Sequence, residues 1–472
     1  MGKQNNGLNF IYQAAYQLML VVMPFITVPY VTRILNVDGL GRFSYVASVA
    51  SYFILIMKLG LDSFGQREVA RIRSNKQKLN EFFSNLLWFH LILGLLVIVC
   101  FFMYAYFLAD PENKVLFYIR ILSLVGVLID INWLYYGLEQ FKVTVTWSTV
   151  VKFTTVAAVF IFVKEEKDIN TYAFIMCIST CLSEVPLWIG LRRRVEIVKP
   201  VFKEMLRYLK PMLILFIPTI AVSFYKQMDK VMLGAFSMYT DVAVYEYAER
   251  IINAPIGIIS ALGIVMLPKM SNLYAEGDTN KAESTIELSM SFIMWMSFAF
   301  TFGIISVSKE FVLLLLGDQF RGTTAVLMLL SVTMPFISWA NVLRTQFILP
   351  RQKDKEFVIS ILSGAAVNLV LNILCIPRWG AIGAAIGTIG AEVTVCLIQT
   401  IQTYHDLRIG KMLKNAMFFL LIGLVMGISI KLTPVVIQNP VAQLAFMILE
   451  GAVIYCVLST KNVKQMIRLF KE

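Results

Sequence analysis

Long apolar stretches follow one another along almost the entire sequence, and only short polar or charged segments separate them. A transmembrane helix needs roughly 20 predominantly apolar residues, so a window of about 19 residues locates the crossings, and about fourteen are found. They lie near 9–35, 41–66, 82–109, 115–138, 141–163, 169–191, 208–236, 241–268, 285–308, 321–350, 356–377, 380–404, 413–432 and 440–460. The sequence therefore predicts an all-α polytopic membrane protein.

The composition argues against a soluble enzyme. Hydrophobic residues make up 58% of the chain and charged residues 15%, whereas charged residues make up about 25% of ordinary soluble domains. The six cysteines lie in apolar stretches without a CxxC pair. The two histidines, His90 in an apolar run and His405 in a basic loop, leave almost no candidate for a zinc site or a Ser-His-Asp triad. The sequence contains no GxxxxGKS/T phosphate-binding loop. We therefore expect no catalytic residue, no metal site and no cofactor.

The basic residues predict the orientation of the chain. The formal net charge is +12, and most of the 42 lysines and arginines fall in alternate loops. Cytoplasmic loops carry such an excess, so we expect both termini to be cytoplasmic, which requires an even number of spans. A nucleic-acid-binding protein instead clusters its basic residues on a soluble face, and we expect no nucleic-acid partner. The N-terminus lacks a small-residue cleavage pattern and predicts a retained first helix.

A weak internal repeat divides the chain into two halves. Residues 41–46 resemble residues 243–248, and further short matches follow in the same order. Both copies start from the same side of the membrane, which predicts two pseudo-symmetric six-helix lobes with the substrate between them. The last two helices are additional to the repeat.

A different pattern connects the two halves. Val198, Val201, Phe202, Met205 and Leu209 form one apolar stripe, which predicts an interfacial amphipathic helix, with a solvated loop as the alternative. The predicted parts are an N-terminal six-helix lobe (1–194), an amphipathic linker (195–210), a C-terminal six-helix lobe (208–404), helices 13 and 14 (413–460) and a basic cytoplasmic tail (461–472).

Basic residues inside the predicted spans are the main candidates for function, because a charge at the centre of a transmembrane helix costs about 2.5–3.5 kcal/mol. We expect a positively charged cavity between the lobes, suited to an anion such as a pyrophosphate. Its predicted substrate-binding residues are Arg33, Arg42, Lys58, Lys152, Lys226 and Arg250. Lys152 has no acidic residue within one turn, so it is the hardest to explain without a cavity.

Several cations inside the spans could have a structural role instead of a role in substrate binding. Helix-internal ion pairs with Glu246 and Asp229 could neutralise Arg250 and Lys226, respectively. Three further cations lie near span ends, where their side chains can reach the headgroups. They are Arg120, Lys230 and Arg344.

Acidic residues inside the spans are candidates for energy coupling. Glu184, Asp229 and Glu392 could bind a proton or a sodium ion during transport. A membrane potential that is negative inside would by itself pull an anionic substrate outward, at about 2.3 kcal/mol per charge per 100 mV. The sequence is compatible with either energy source.

Several motifs together resemble those of polysaccharide repeat-unit flippases in the multidrug/oligosaccharidyl-lipid/polysaccharide exporter superfamily. The motifs lie at 29–45, 60–71, 229–234, 267–277 and 379–387. One departure is Asn36, where the family commonly has glycine. Because asparagine tolerates the left-handed backbone, we expect the turn to be retained.

The resemblance implies two six-helix bundles plus two helices, and a flippase that moves undecaprenyl-pyrophosphate-linked oligosaccharide from the inner to the outer leaflet by alternating access. It implies a bacterial cytoplasmic membrane and a role in capsule or other surface polysaccharide synthesis. Family members hold the pyrophosphate with basic residues that map approximately onto Arg33, Lys58 and Arg250. We expect a non-enzymatic monomer that works beside polysaccharide assembly proteins. A multidrug and toxin extrusion antiporter, or a membrane polymerase or glycosyltransferase, is the alternative.

Overall fold

The computed structural model describes residues 23–433 and 437–471, and these form α-helices joined by short turns, with no β-strand among them. The α-helices are α1 (23–34), α2 (Val37–Lys58), α3 (Leu61–Ile72), α4 (Lys76–Phe107), α5 (Lys114–Leu128), α6 (Asn132–Gly137), α7 (Phe141–Phe162), α8 (Ile169–Ile189), α9 (Phe202–Phe236), α10 (Tyr239–Ala275), α11 (Thr279–Leu315), α12 (Thr323–Ser331), α13 (Thr333–Leu343), α14 (Asp354–Thr403), α15 (Ile409–Leu432) and α16 (Pro440–Lys471). The predicted all-α membrane fold is confirmed.

Eleven helical segments of the described residues are long and apolar enough to cross a membrane. One of them, α14, has 50 residues and would measure about 75 Å, more than twice the hydrocarbon thickness of a bilayer. Its backbone is non-helical at Gly380 (φ 51°, ψ −127°), so α14 provides two crossings. This break lies where the sequence separates the spans at 356–377 and 380–404.

Each predicted span has a helical counterpart in the described part of the chain. Of the first predicted span, residues 9–22 lie outside the described residues, and 23–34 form α1. The predicted spans 41–66 and 115–138 each contain a break, because α2 is followed by α3 and α5 by α6. The span 321–350 ends in a π-helical segment, Arg344–Ile348.

Asn36 begins α2 in a way that the sequence did not predict. Its backbone is extended (φ −71°, ψ 157°), and its side chain accepts a hydrogen bond from the backbone N–H of Gly39 at 2.6 Å. The expected left-handed conformation is therefore wrong. Asparagine is a favoured N-cap residue because its side chain satisfies a free helical N–H group, and the turn is kept in this form.

The predicted helix over 195–210 is wrong for its first part, since residues 195–201 are not helical and α9 begins at Phe202. Instead, three backbone N–H groups of this segment donate to buried side chains of α4. The pairs are Glu196 to Asn80 (3.0 Å), Val198 to Ser84 (2.8 Å) and Val201 to Asn85 (2.7 Å). These acceptors replace helical hydrogen bonds, and Pro200 disfavours helical backbone in the residue before it.

The chain divides into two compact units, one ending at Val231 and the other beginning at Met232. The first has a core around Phe83, Trp133 and Tyr135, which are at most 1% exposed. The second has a large core that includes Met290 and Phe347, and a smaller core where α11, α15 and α16 meet. The predicted lobe boundaries at 194 and 208 stay a prediction.

Candidate functional site

Lys58 occupies a turn between two helices of the first unit. It is the last residue of α2, and its ammonium donates to the carboxylates of Asp62 (2.7 Å) and Asp130 (2.8 Å). Leu59 (φ 43°) and Gly60 (φ 79°) both have left-handed backbones and turn the chain from α2 into α3. The predicted cavity cation therefore carries two carboxylate partners.

Hydrogen bonds continue from Asp130 to a third carboxylate. Asp130 lies between α5 and α6 and accepts from the backbone N–H and the side-chain amide of Asn132, both at 2.8 Å. The same amide nitrogen donates to both carboxylate oxygens of Glu184 on α8, at 3.0 and 2.9 Å. Asp130 and Glu184 are each 9% exposed. We call these residues, with Lys58 and Asp62, the carboxylate network; it contains one cation and three acids.

Arg42 and Arg250 are also paired with neighbouring acids. Arg42 forms ion pairs with Asp38, one turn earlier on α2 (2.5 Å), and with Glu112. Arg250 donates to Glu246, one turn earlier on α10, at 2.7 Å. The helix-internal ion pair that the sequence left open for Arg250 is therefore present. Much of the positive charge of both side chains is offset within their own unit.

Lys152 and Lys226 differ from these paired cations. Both side chains are exposed, and neither forms an ion pair with any described residue. Lys152 lies in the middle of α7. Asp229, the sequence candidate for pairing with Lys226, is instead buried at 4% exposure. Arg33, the sixth predicted residue, has an exposed side chain on α1.

Three basic residues assigned to span ends have surroundings that the sequence did not predict. Lys230 is only 7% exposed, so the expected contact with headgroups is wrong for this side chain. The guanidinium of Arg120 lies 3.6 Å from the sulfur of Cys177 and 5.4 Å from the ring centroid of Phe43. Arg344 starts the π-helical segment of the second unit.

The three predicted coupling carboxylates have different environments. Glu184 belongs to the carboxylate network, Asp229 is buried, and Glu392 on α14 is near enough to Arg344 for an electrostatic interaction. Across residues 23–433 and 437–471, no group of three or more His, Cys, Asp or Glu side chains could hold a metal ion. Glu184 shares the side-chain amide of Asn132 with Asp130, so this coupling candidate is connected to a second carboxylate.

An ion-paired acid also lies in the second unit, outside the membrane-spanning segments. Asp406 follows α14, and its carboxylate contacts Arg351 (3.0 Å) and Lys353 (3.2 Å) in the turn before that helix. Partial burial raises the pKa of Asp406, but hydrogen bonds from both cations outweigh it and hold the pKa below its usual range. These contacts link the turn that precedes α14 to the turn that follows it.

Residues 7–274 match the family described as polysaccharide biosynthesis protein. The chain belongs to this family. The matched region includes the carboxylate network, Lys152 and Arg250, so most of the predicted site lies within the part of the chain that defines the family.

Two relatives of this family member that match most of its length are named as transporters. A protein named putative O-antigen transporter, from Escherichia coli strain K12, is 26% identical over 405 residues, which are 84% of this chain and 95% of that protein. A second similarity is to the solved structure titled lipid II flippase MurJ, inward closed conformation. Its TM-score is 0.81 at 14% identity, over 97% of this chain and 100% of that chain.

An inward-facing multidrug resistance MATE family transporter is also similar in structure. Its TM-score is 0.66 at 15% identity, over 86% of this chain and 99% of that chain. At such identities the likeness shows the fold alone. The family member therefore has a fold that occurs in proteins named as flippases and in proteins named as drug transporters.

Asn132 is a network residue that the sequence analysis does not single out. A search for ionisable residues in apolar spans can find Asp130, but it passes over an uncharged amide. A signal was present, since two polar residues stand two positions apart near the end of an otherwise apolar span. Amides in membrane helices find hydrogen-bond partners on neighbouring helices, as Asn132 does with Glu184.

Proposed function

We propose that this protein is a flippase that carries polyprenyl-pyrophosphate-linked oligosaccharide from the inner to the outer leaflet of a bacterial cytoplasmic membrane. The family match, the transporter relative and the fold support this proposal. In it, both termini face the cytoplasm and the two lobes alternate in access without chemistry on the substrate. The protein acts as a monomer beside other polysaccharide assembly proteins.

The observation that carries the proposal is the position of Lys152 in the middle of a transmembrane helix, without an ion-pair partner in the described chain. With 22 residues, α7 is about 33 Å long, which matches the hydrocarbon thickness of a bilayer, and Lys152 lies about 15 Å from either end. An unpaired ammonium at this depth costs about 2.5–3.5 kcal/mol. A pyrophosphate that passes through the middle of the membrane would supply the missing negative charge.

The paired cations have a different role in this proposal. Arg42, Lys58 and Arg250 carry their own carboxylates, so a passing anion has to compete with these acids. Transport requires binding that is favourable enough to admit the substrate and weak enough to release it. The acids beside these cations weaken the hold on pyrophosphate and thereby favour release.

Either the membrane potential or an ion gradient drives the proposed transport. The potential acts directly on the anionic substrate, whereas Glu184, Asp229 and Glu392 are candidates for binding a proton or sodium ion. Purified protein in vesicles distinguishes the two sources. Flipping that needs a potential but no ion gradient contradicts a coupling role for these acids.

A multidrug antiporter is the second candidate, because the carboxylate network holds more acids than bases and the fold is shared with a multidrug transporter. A cation pump needs negative charge where its substrate binds. Expression in a drug-sensitive strain tests this function: raised resistance to cationic drugs without any effect on surface polysaccharide would favour the antiporter.

The test of the proposed function replaces Lys152 in cells that lack the chromosomal gene. Lys152→Glu should abolish surface polysaccharide, and Lys152→Ala should lower it by about tenfold, since about 1.4 kcal/mol of lost binding is a factor of ten. Lys152→Arg keeps the charge and should retain partial export. Lys142→Ala, at the exposed start of the same helix, is the control and should export normally.

Protein abundance in the membrane is measured in parallel. Because Lys152 has no ion-pair partner in the described chain, none of its variants should unfold the protein. Normal export by Lys152→Glu at normal abundance would contradict the assigned role of this residue.

A further inference from the structure

A long groove lies between α7 and α8 within the first unit. It has a volume of about 550 Å³ and extends from Trp147 to Phe162 on one helix and from Thr171 to Pro186 on the other. Fifteen helical residues span about 22 Å, so the groove follows much of the thickness of the hydrocarbon layer. Its shape suits a linear molecule rather than a compact one.

The surface of the groove is apolar even where polar residues line it. The hydroxyls of Thr154, Thr155 and Ser179 each donate to a carbonyl of their own helix, at 3.0, 2.7 and 2.8 Å. Their hydrogen-bonding capacity is therefore largely used locally, and the methyl groups of the threonines remain to face a ligand. A hydrocarbon chain fits such a surface, whereas a sugar would leave its hydroxyls without partners.

Large apolar side chains border the groove without being covered by the described chain. Trp147, Phe174 and Leu182 are 43%, 49% and 48% exposed. Small residues between them, such as Ala158, keep the space open. The groove therefore has apolar walls and an apolar floor that the described part of the unit leaves available to a further molecule.

The charge of Lys152 identifies which molecule fits. Lys152 stands three residues before Thr155, so the two are neighbours on the surface of α7. The phosphates of ordinary phospholipids stay at the membrane surfaces, about 15 Å from the middle of a 30 Å hydrocarbon layer. A lipid whose head crosses the membrane is the kind of lipid that brings an anionic phosphate to the depth of Lys152.

We propose that the groove between α7 and α8 binds the polyprenyl chain of the transported glycolipid while its pyrophosphate lies near Lys152. This inference rests on the proposed flippase function and assigns the lipid part of the substrate to a defined surface. The hydrocarbon of the bilayer is as apolar as the groove, so van der Waals packing of the isoprenoid carbons against the fixed groove walls holds the tail. The tail then remains beside the lobe that carries the cation.

Photo-crosslinking tests the groove directly in cells that make the glycolipid. Phe174→p-benzoylphenylalanine places the reactive group in the groove. Phe153→p-benzoylphenylalanine is the matched control, because Phe153 is 58% exposed on α7 but does not line the groove. Lipids attached to each variant are released and identified by mass spectrometry. Because Phe174 lines the groove and Phe153 does not, polyprenyl-linked species should be captured about tenfold more at 174 than at 153, a ratio that corresponds to about 1.4 kcal/mol.

Other outcomes overturn the proposal. Equal capture of polyprenyl species at both positions, phospholipids alone at 174, or a protein adduct at 174 would each assign the groove to another occupant. A second pair of variants gives an independent readout: Ala158→Phe fills the groove, while Ala157→Phe adds the same ring at an exposed neighbour outside it. Only Ala158→Phe should reduce capture at 174 and slow export.

The same experiments keep the two proposals separate. The unlabelled wild-type protein is assayed for glycolipid flipping in vesicles. If it flips the glycolipid but no polyprenyl species is captured at 174, the groove assignment alone fails. If the wild-type protein flips no glycolipid, the proposed function fails.

Discussion

The ammonium of Lys58 lies 2.8 Å from the carboxylate of Asp130 and joins the breaks of two interrupted segments, one between α2 and α3 and the other between α5 and α6. Transporters commonly form their substrate and ion sites at interrupted helices, where the backbone can change conformation. The pair therefore fixes two breaks relative to each other within one unit. Its removal should affect both stability and the ease of rearrangement.

Breaking this pair should destabilise the protein. Lys58→Met leaves three acids of the carboxylate network without their cation, and Asp130→Asn removes the acid while keeping its shape. Each should lower the apparent free energy of unfolding by roughly 2–3 kcal/mol, as loss of a charged hydrogen bond does. Because the residues interact, the double variant should cost about 1–2 kcal/mol less than the sum.

Thermal unfolding of the purified protein in detergent measures these changes. Arg321→Met is the control, since it breaks an exposed pair with Asp318 (3.0 Å) and should change stability by no more than about 0.5 kcal/mol. Simple additivity of the two single substitutions would show that Lys58 and Asp130 do not depend on each other.

Gly60→Ala should also destabilise the first unit. Gly60 has φ 79°, and an added Cβ would lie 2.6 Å from the backbone oxygen of Met212. The strained backbone alone costs about 1–3 kcal/mol, and relief of the clash requires movement of α9. Gly303→Ala is the control: its Cβ would meet no atom within 4 Å, and alanine favours a helix interior by up to about 1 kcal/mol. Equal melting temperatures for the two variants would contradict a need for glycine at 60.

The positions of the helices could be predicted because they depend on local features, namely the length of each apolar stretch and the residues that break helices. The boundary expected between 377 and 380 falls at Gly380, where the backbone leaves the helical region. The pair of Glu246 and Arg250 was equally accessible, since residues four apart on a helix are neighbours. Such features depend on a few consecutive residues and require no knowledge of packing.

The surroundings of the cations were not predictable in the same way. Lys58 and Asp130 are 72 residues apart, and their contact depends on how the interrupted helices pack. The segment at 195–201 shows the same limit, because its apolar stripe suggests a helix while buried acceptors on α4 hold it in a non-helical conformation. Tertiary hydrogen bonds override local periodicity wherever they satisfy the backbone equally well.

The attachment of that segment to α4 is testable by hydrogen exchange. Asn85→Ala removes the acceptor for the backbone N–H of Val201 (2.7 Å). Loss of this buried hydrogen bond should cost about 1 kcal/mol and speed exchange at 196–201 by about fivefold. Gln77→Ala is the control, because Gln77 is exposed on α4 and pairs with Glu81. Unchanged exchange in Asn85→Ala would mean that other contacts hold the segment in place.

The ion pairs of Asp406 predict a specific pH dependence. Because the pKa of Asp406 is lower in the folded protein than in the unfolded chain, its stabilising contribution is present above the unfolded pKa of about 3.9 and is lost as the pH falls through the folded value. Asp406→Asn should therefore lower stability at pH 5–7 and lose this difference from wild type below about pH 4. The carboxylate is 35% exposed, so solvent screening limits the effect to about 1 kcal/mol or less.

Melting temperatures of the wild type and Asp406→Asn, measured in detergent across this pH range, test the prediction. Glu276→Gln is the control, since Glu276 is exposed and forms no ion pair within the described residues, and its difference from wild type should stay small at every pH. A difference for Asp406→Asn that grows as the pH falls would reverse the predicted sign. That result would mean that burial of the Asp406 carboxylate outweighs its ion pairs with Arg351 and Lys353 and raises its pKa in the folded protein.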